Sequence, residues 1–114
     1  MLQYQPPPLD ALFQALADPA RRAMVERLTA GPASVSQLAA PLPMSLTAAA
    51  QHLAVLEAAG LVTSAKVGRV RTCTLDTAAL SQAEQWINAR RMAVGAQLDR
   101  LGDYLAATKP DDEP

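Results

Sequence analysis

Apolar residues recur at i, i+3, i+4 and i+7 through Leu9, Leu12, Phe13 and Leu16, the spacing of one helical face. The prolines Pro6 to Pro8 hold the chain before them extended. Asp18-Pro19 ends this short amphipathic helix and starts a second: Asp18 suits an N-cap, and Pro19 suits the first helical position, where its missing N–H costs nothing. Met24, Val25 and Leu28 give the second helix its apolar side, and Gly31-Pro32 stops it. Ser34-Val35-Ser36-Gln37 fits a capping box, and the helix it opens is brief because Pro41 and Pro43 interrupt it. After a tight connection at Leu42 to Met44, Ser45 caps a further helix. Its buried stripe is expected through Leu46, Ala49, Leu53, Leu56 and Ala59 or Gly60.

From Leu61 the period shifts. Leu61 to Val67 and Val70 to Leu75 are rich in β-branched residues, and Gly68-Arg69 sits between them as a hairpin turn, so a two-stranded ribbon is expected. Asp76 or Thr77 then caps a last long helix. There Leu80, Ile87, Val94 and Leu101 fall seven apart, with Leu98 and Leu105 at intervening positions. Such a stripe needs a partner, either the first helix or a second copy of the chain. The organisation read from this pattern is an extended segment over residues 1–8, one folded domain over 9–108, and a flexible acidic tail, KPDDEP, over 109–114.

The order of elements, helix, helix, short helix, tight turn, helix, β-ribbon, long helix, is that of a winged helix-turn-helix, mainly α with a small β-hairpin. In that arrangement the helix opened by Ser45 enters the major groove of DNA. Its start, SLTAAAQH, is then explained: alanines at 48, 49 and 50 let the backbone approach while Thr47, Gln51 and His52 reach the bases. Ser45 combines a cap with the position a phosphate would occupy. Plainer readings stand beside these, since Ser45 and Thr47 also suit an ordinary first turn and His52 could bond locally or face solvent.

Charge changes the picture only through its distribution. The net charge is −1, and no Lys or Arg lies between Pro32 and Gly60, so phosphate contacts must come from outside the recognition helix. Lys66, Arg69 and Arg71 concentrate charge on the ribbon, where Arg69 at the tip and Arg71 are expected to touch DNA. Arg21 and Arg22 follow the Asp18 cap and either pair with Glu26 or bind phosphate. The single cysteine, Cys73, is expected to pack under the wing as a small hydrophobe, and it excludes an internal disulfide framework. With one His, one Cys and scattered carboxylates, no nucleophile-base arrangement stands out, which disfavours an enzyme and calls for no cofactor. No apolar run approaches the roughly 18 residues of a membrane span, and MLQYQPPPLD does not read as a secretory signal, so a cytoplasmic protein is expected.

The blocks "LFQALADPARRAMVERL", "SVSQLA", "MSLTAAAQHLAVLEAAGLV" and "GRVRTCTLD" together resemble the ArsR-type (arsenical-repressor-like) transcription regulators, over nearly the whole chain from Leu9 to about Leu105. The resemblance implies a homodimer joined through the first and last helices, binding a pseudo-palindromic operator on double-stranded DNA and repressing transcription. Leu9, Leu12, Phe13, Trp86, Ile87, Val94, Leu98, Leu101 and Leu105 would form that interface. The tryptophan of Gln85-Trp86-Ile87 is similar to that of members found beside polyketide-cyclase-like or Hsp90-ATPase-activator-like proteins. Family metal sensors carry a Cys-x-Cys pair where this chain has Ser34-Val35-Ser36-Gln37-Leu38. On the last helix, Glu84, Asp99 and Asp103 lack the imidazole that zinc or nickel favours, so no metal site is assigned. Two rival readings remain: a metal- or thiol-responsive sensor of the same fold, for instance through Asp99, Asp103 and His52, and a winged-helix protein-interaction module. The inducer is not legible.

Overall fold

The computed structural model describes residues 8–108, so the expected extended segment up to residue 7 and the acidic tail from residue 109 lie outside the described residues. In chain order the elements are α1 (Pro8–Leu16), α2 (Pro19–Leu28), β1 (Ala33–Ser34), α3 (Val35–Ala39), α4 (Leu46–Ala58), β2 (Val62–Val67), β3 (Val70–Leu75) and α5 (Thr77–Thr108). Pro8, assigned from sequence to the extended segment, instead opens α1, at the one helical position that tolerates its missing N–H.

The caps are where their side chains suggest. Asp18 Oδ1 accepts the N–H of Ala20 at 2.8 Å and of Arg21 at 3.2 Å. Ser34 Oγ accepts from the Gln37 N–H at 3.2 Å while Gln37 Oε1 accepts from the Ser34 N–H at 2.9 Å, completing the reciprocal box. Ser45 Oγ accepts from the Ala48 N–H at 3.1 Å, and Asp76 Oδ1 from the Ala78 N–H at 3.0 Å. Helix α4 ends in a Schellman motif: the Leu61 N–H donates to Leu56 O and the Gly60 N–H to Glu57 O, each at 3.0 Å, with Gly60 at φ +79°. That backbone reversal turns the chain from α4 directly into β2.

The expected two-stranded ribbon gains a third strand. The sheet order is β1-β3-β2, all antiparallel, with Ala33 opposite Cys73 and Ser34 opposite Thr72. Two residues carry no readable period. They pair because Ser34, as an N-cap, already holds extended dihedrals (φ −78°, ψ 165°), so one residue both caps α3 and closes the sheet edge. In the hairpin Val67 faces Val70, and the positive φ of +64° falls on Gly68 with none at Arg69, the pattern of a type II′ loop.

The chain divides into two compact units between Ala83 and Glu84. In the first, Leu12, Met24, Leu38, Leu56, Leu61 and Cys73 are the large side chains withdrawn from solvent, joined by Ala79 and Ala83 from the start of α5. Two expectations are corrected here. Leu12, assigned to a dimer interface, is 1% exposed and belongs to this core, because it is the α1 position that points at α2 and α4 rather than outward. Leu46, assigned to the buried stripe of α4, is 57% exposed, because the first turn of α4 projects past the core and Ala49, Leu53 and Leu56 alone line the inner face. Leu9 is half-buried against the core, and Phe13 stays partly exposed.

The second unit consists, in its described part, of α5 from Glu84 onward. Ile87, Val94, Leu98, Leu101 and Leu105 all lie exposed along it in the single chain, and Arg90 stacks its guanidinium 4.7 Å from the Trp86 ring centroid. Among the described residues no helix is long and apolar enough to cross a membrane.

Candidate nucleic-acid interface

Helix α4 has two unlike faces. Ala49, Leu53 and Leu56 are buried, whereas Thr47, Ala50, Gln51 and Ala54 are open to solvent, a spacing of three, one and three that keeps them on one side. Of the three alanines expected to admit DNA, Ala49 is core and Ala48 half-buried, leaving Ala50 on the open face. Ala54 extends that face by another turn. Sequence reading passed over it for want of a polar tip, although its place three residues after Gln51 marks it. The face therefore offers polar groups at Thr47 and Gln51 on a base of methyl groups, with Ser45 capping the end beside them. A surface this shallow lets a helix backbone approach a flat-edged partner closely.

His52 does not join the open face. It is half-buried, and its Nδ1 lies 3.3 Å from Arg21 Nη1. A guanidinium only donates, so Nδ1 is the accepting atom of this contact. Arg21 also donates from Nε to Ala15 O at 2.7 Å and from Nη2 to Gln14 O at 3.1 Å, while Arg22 Nη1 donates to Leu16 O at 2.8 Å. Both arginines thus satisfy the unpaired carbonyls at the end of α1, where a cation is also favoured by the helix dipole. These carbonyl bonds stand in place of the expected pairing with Glu26. His52, through Arg21, ties α4 to the α1–α2 corner.

The wing separates its cations. Lys66, Arg69 and Arg71 are all exposed, with Arg69 at the tip beside Gly68, and what separates them is their bonding. Arg71 turns back toward α4: its Nε donates to Ser64 Oγ at 3.0 Å and its Nη2 lies 3.7 Å from Glu57 Oε1, while the Ser64 hydroxyl itself donates to that same Glu57 oxygen. A hollow of about 220 Å³ beside this cluster is lined by Ala50 and Ala54 of α4 together with Arg71 and Cys73 of β3, so the open face of α4 adjoins the base of the wing. Arg69 and Arg71 together line a second hollow with Ser34 and Ser36 at the start of α3. The start of α3, the open face of α4 and the wing edge are therefore one continuous surface.

Cys73 lies 1% exposed between strands, and burial, reinforced by the Glu57 charge, pushes its thiol above the usual cysteine range. It packs as the small hydrophobe expected, with its reactive thiolate disfavoured. Among the described residues no three His, Cys, Asp or Glu side chains gather closely enough to hold a metal ion.

Known proteins share this architecture. A family model described as a helix-turn-helix domain matches residues 16–65. The HTH-type transcriptional regulator Rv2034 of Mycobacterium tuberculosis is 47% identical over 81 residues, covering 71% of this chain and 74% of that protein. The crystal structure of an ArsR family transcriptional regulator, RHA00566, superposes with a TM-score of 0.75 at 40% identity, over 78% of this chain and 98% of that one. An ArsR-like transcriptional regulator from Rhodococcus sp. RHA1 does so with a TM-score of 0.69 at 33% identity, over 91% of this chain and 95% of the other. With a shallow-faced α4, a cationic wing beside it and these relatives, the chain belongs to the ArsR family of winged helix-turn-helix proteins and is a DNA-binding transcriptional regulator.

Proposed function

We propose that the protein acts in the cytoplasm as a homodimeric repressor of its own or a neighbouring operon, a binding protein rather than a catalyst. One α4 per subunit docks in each of two successive major grooves, with half-sites about 34 Å apart on a pseudo-palindromic operator. Thr47 and Gln51 meet base edges, and Ala50 and Ala54 let the helix come close. Ser45 at the helix start and Lys66 and Arg69 on the wing take backbone phosphates. His52 acts from behind, holding α4 against Arg21. The observation that carries this reading is the open face of α4, where the polar tips of Thr47 and Gln51 stand among the methyl groups of Ala50 and Ala54. The exposed apolar stripe of α5 supports the second copy: a small chain leaving Ile87, Val94, Leu98, Leu101 and Leu105 uncovered gains by pairing them.

The test is binding to DNA from upstream of its own gene across a series of salt concentrations. Arg69→Ala is expected to weaken binding to all sequences and to flatten the salt slope by about 0.9 for each phosphate that is no longer neutralised. Gln51→Ala is expected to relax base preference by about 1–3 kcal/mol at one position of each half-site and to leave the salt slope unchanged. Retention of both slope and preference in both variants refutes the groove assignment.

A further inference from the structure

Three cations lie on the wing, and the structure treats one of them differently. Lys66 and Arg71 are cross-strand partners in the β2–β3 register, so two like charges sit directly opposite each other on one face of the ribbon. That arrangement is unfavourable unless something neutralises it. Glu57, in the last turn of α4, does so. Its Oε1 receives the Ser64 hydroxyl and lies 3.7 Å from Arg71 Nη2, and Arg71 Nε closes the ring on Ser64 Oγ at 3.0 Å. One residue each from α4, β2 and β3 is thereby joined, with the Glu57 side chain 30% exposed and that of Arg71 60% exposed. Arg69 has no such restraint among the bonds of the described wing residues and projects at the tip.

We infer that Glu57 is a positioning residue that limits the backbone affinity of the wing: by holding Arg71 against the recognition helix, it withholds that cation from the phosphate backbone. The inference rests on the groove-docking reading above. Phosphate contacts carry no sequence information, and each one raises affinity for every sequence alike. A wing with a third free cation would therefore bind DNA of any sequence more tightly and with a steeper salt dependence. Pairing Arg71 with Glu57 keeps the net charge of this part of the wing low and also ties the ribbon to the end of α4, fixing where Arg69 sits relative to the reading face. In a chain with so little positive charge, the placement of one cation is a large part of the electrostatic footprint.

The experiment is a double-mutant cycle on the full chain, measured as salt dependence of binding to an operator fragment and to unrelated duplex DNA. Glu57→Gln keeps the shape and hydrogen-bonding capacity of the side chain and removes its charge. It is expected to steepen the salt slope by about 0.9 per subunit and to tighten binding to operator and unrelated DNA alike several-fold at low salt. Arg71→Gln alone is expected to leave the slope near that of the unaltered protein, whereas in the Glu57→Gln background it is expected to remove the whole gain. Thermal melting of each variant separates these effects from loss of fold, and because Glu57→Gln and Arg71→Gln disrupt the ring from opposite sides, one folded variant suffices for a reading. An unchanged slope in Glu57→Gln overturns the inference. So does an Arg71→Gln effect of equal size in both backgrounds, which makes Arg71 an ordinary phosphate ligand. If the unaltered protein shows no salt-dependent DNA binding at all, the docking reading itself falls; if Arg69→Ala flattens the slope while Glu57→Gln does nothing, only the role of Glu57 does.

Discussion

The body up to Ala83 and the length of α5 beyond it use similar residues to opposite ends. In the body, leucines at 12, 28, 38, 53, 56 and 61 are all at most 4% exposed, so the hydrophobic term is realised within one chain. Along α5, leucines at 98, 101 and 105 are 52–61% exposed in the single chain. The same side chain is a packing element in one place and an unmatched surface in the other. The difference teaches that apolar periodicity identifies a face to be covered without saying by what.

The sharpest way to test this contrast is to truncate a leucine of each kind. Leu12→Ala is expected to destabilise the body by about 2–5 kcal/mol in denaturant unfolding, whatever the protein concentration, because it opens a cavity inside one chain. A loss that shrinks at high protein concentration would move Leu12 back to an interface. Leu98→Asp is expected to leave the amides of the body protected in hydrogen exchange while weakening self-association by at least about a hundredfold, about 3 kcal/mol, in sedimentation equilibrium. If the variant sediments as the parent does, α5 is not where copies meet.

Smaller effects refine the same comparison. Gly95 lies within α5, and a Cβ built there meets nothing within 4 Å in the single chain. Gly95→Ala is therefore expected to stabilise the helix by about 0.5–1 kcal/mol if the surface stays open. A lowered dimer affinity instead would show that a second helix approaches closely at that point. In the body, the Arg21 N–H donating to Asp18 holds that carboxyl below its ordinary value of 3.8, with the Ala20 N–H and the Arg21 charge adding to it and partial desolvation opposing. Because the folded value is the lower one, the contribution is present above pH 3.8 and fades as pH falls through the depressed value. Asp18→Asn keeps the cap acceptor without the charge, so it is expected to be less stable than the parent near neutrality, to lose part of the parent's slope in that window, and to converge on the parent below the depressed value.

What the sequence alone determined about this protein is local. Caps and stops at Asp18, Ser34, Ser45 and Gly60, the Gly68 turn and the helical and strand periods are each decided by neighbours a few residues away, and they are enough to give the order of elements and the position of the recognition helix. The relatives agree with the family that this order and its motifs resemble. Tertiary structure decided everything that depends on which side chain meets which across the chain. It buried Leu12, left Leu46 and Ala54 outside, drew His52 to Arg21 and Arg71 to Glu57, and paired Ala33-Ser34 with β3. Those outcomes turn on distances between residues far apart in sequence, and charge and hydrophobicity at one position carry no record of the distant group that will neutralise or cover it.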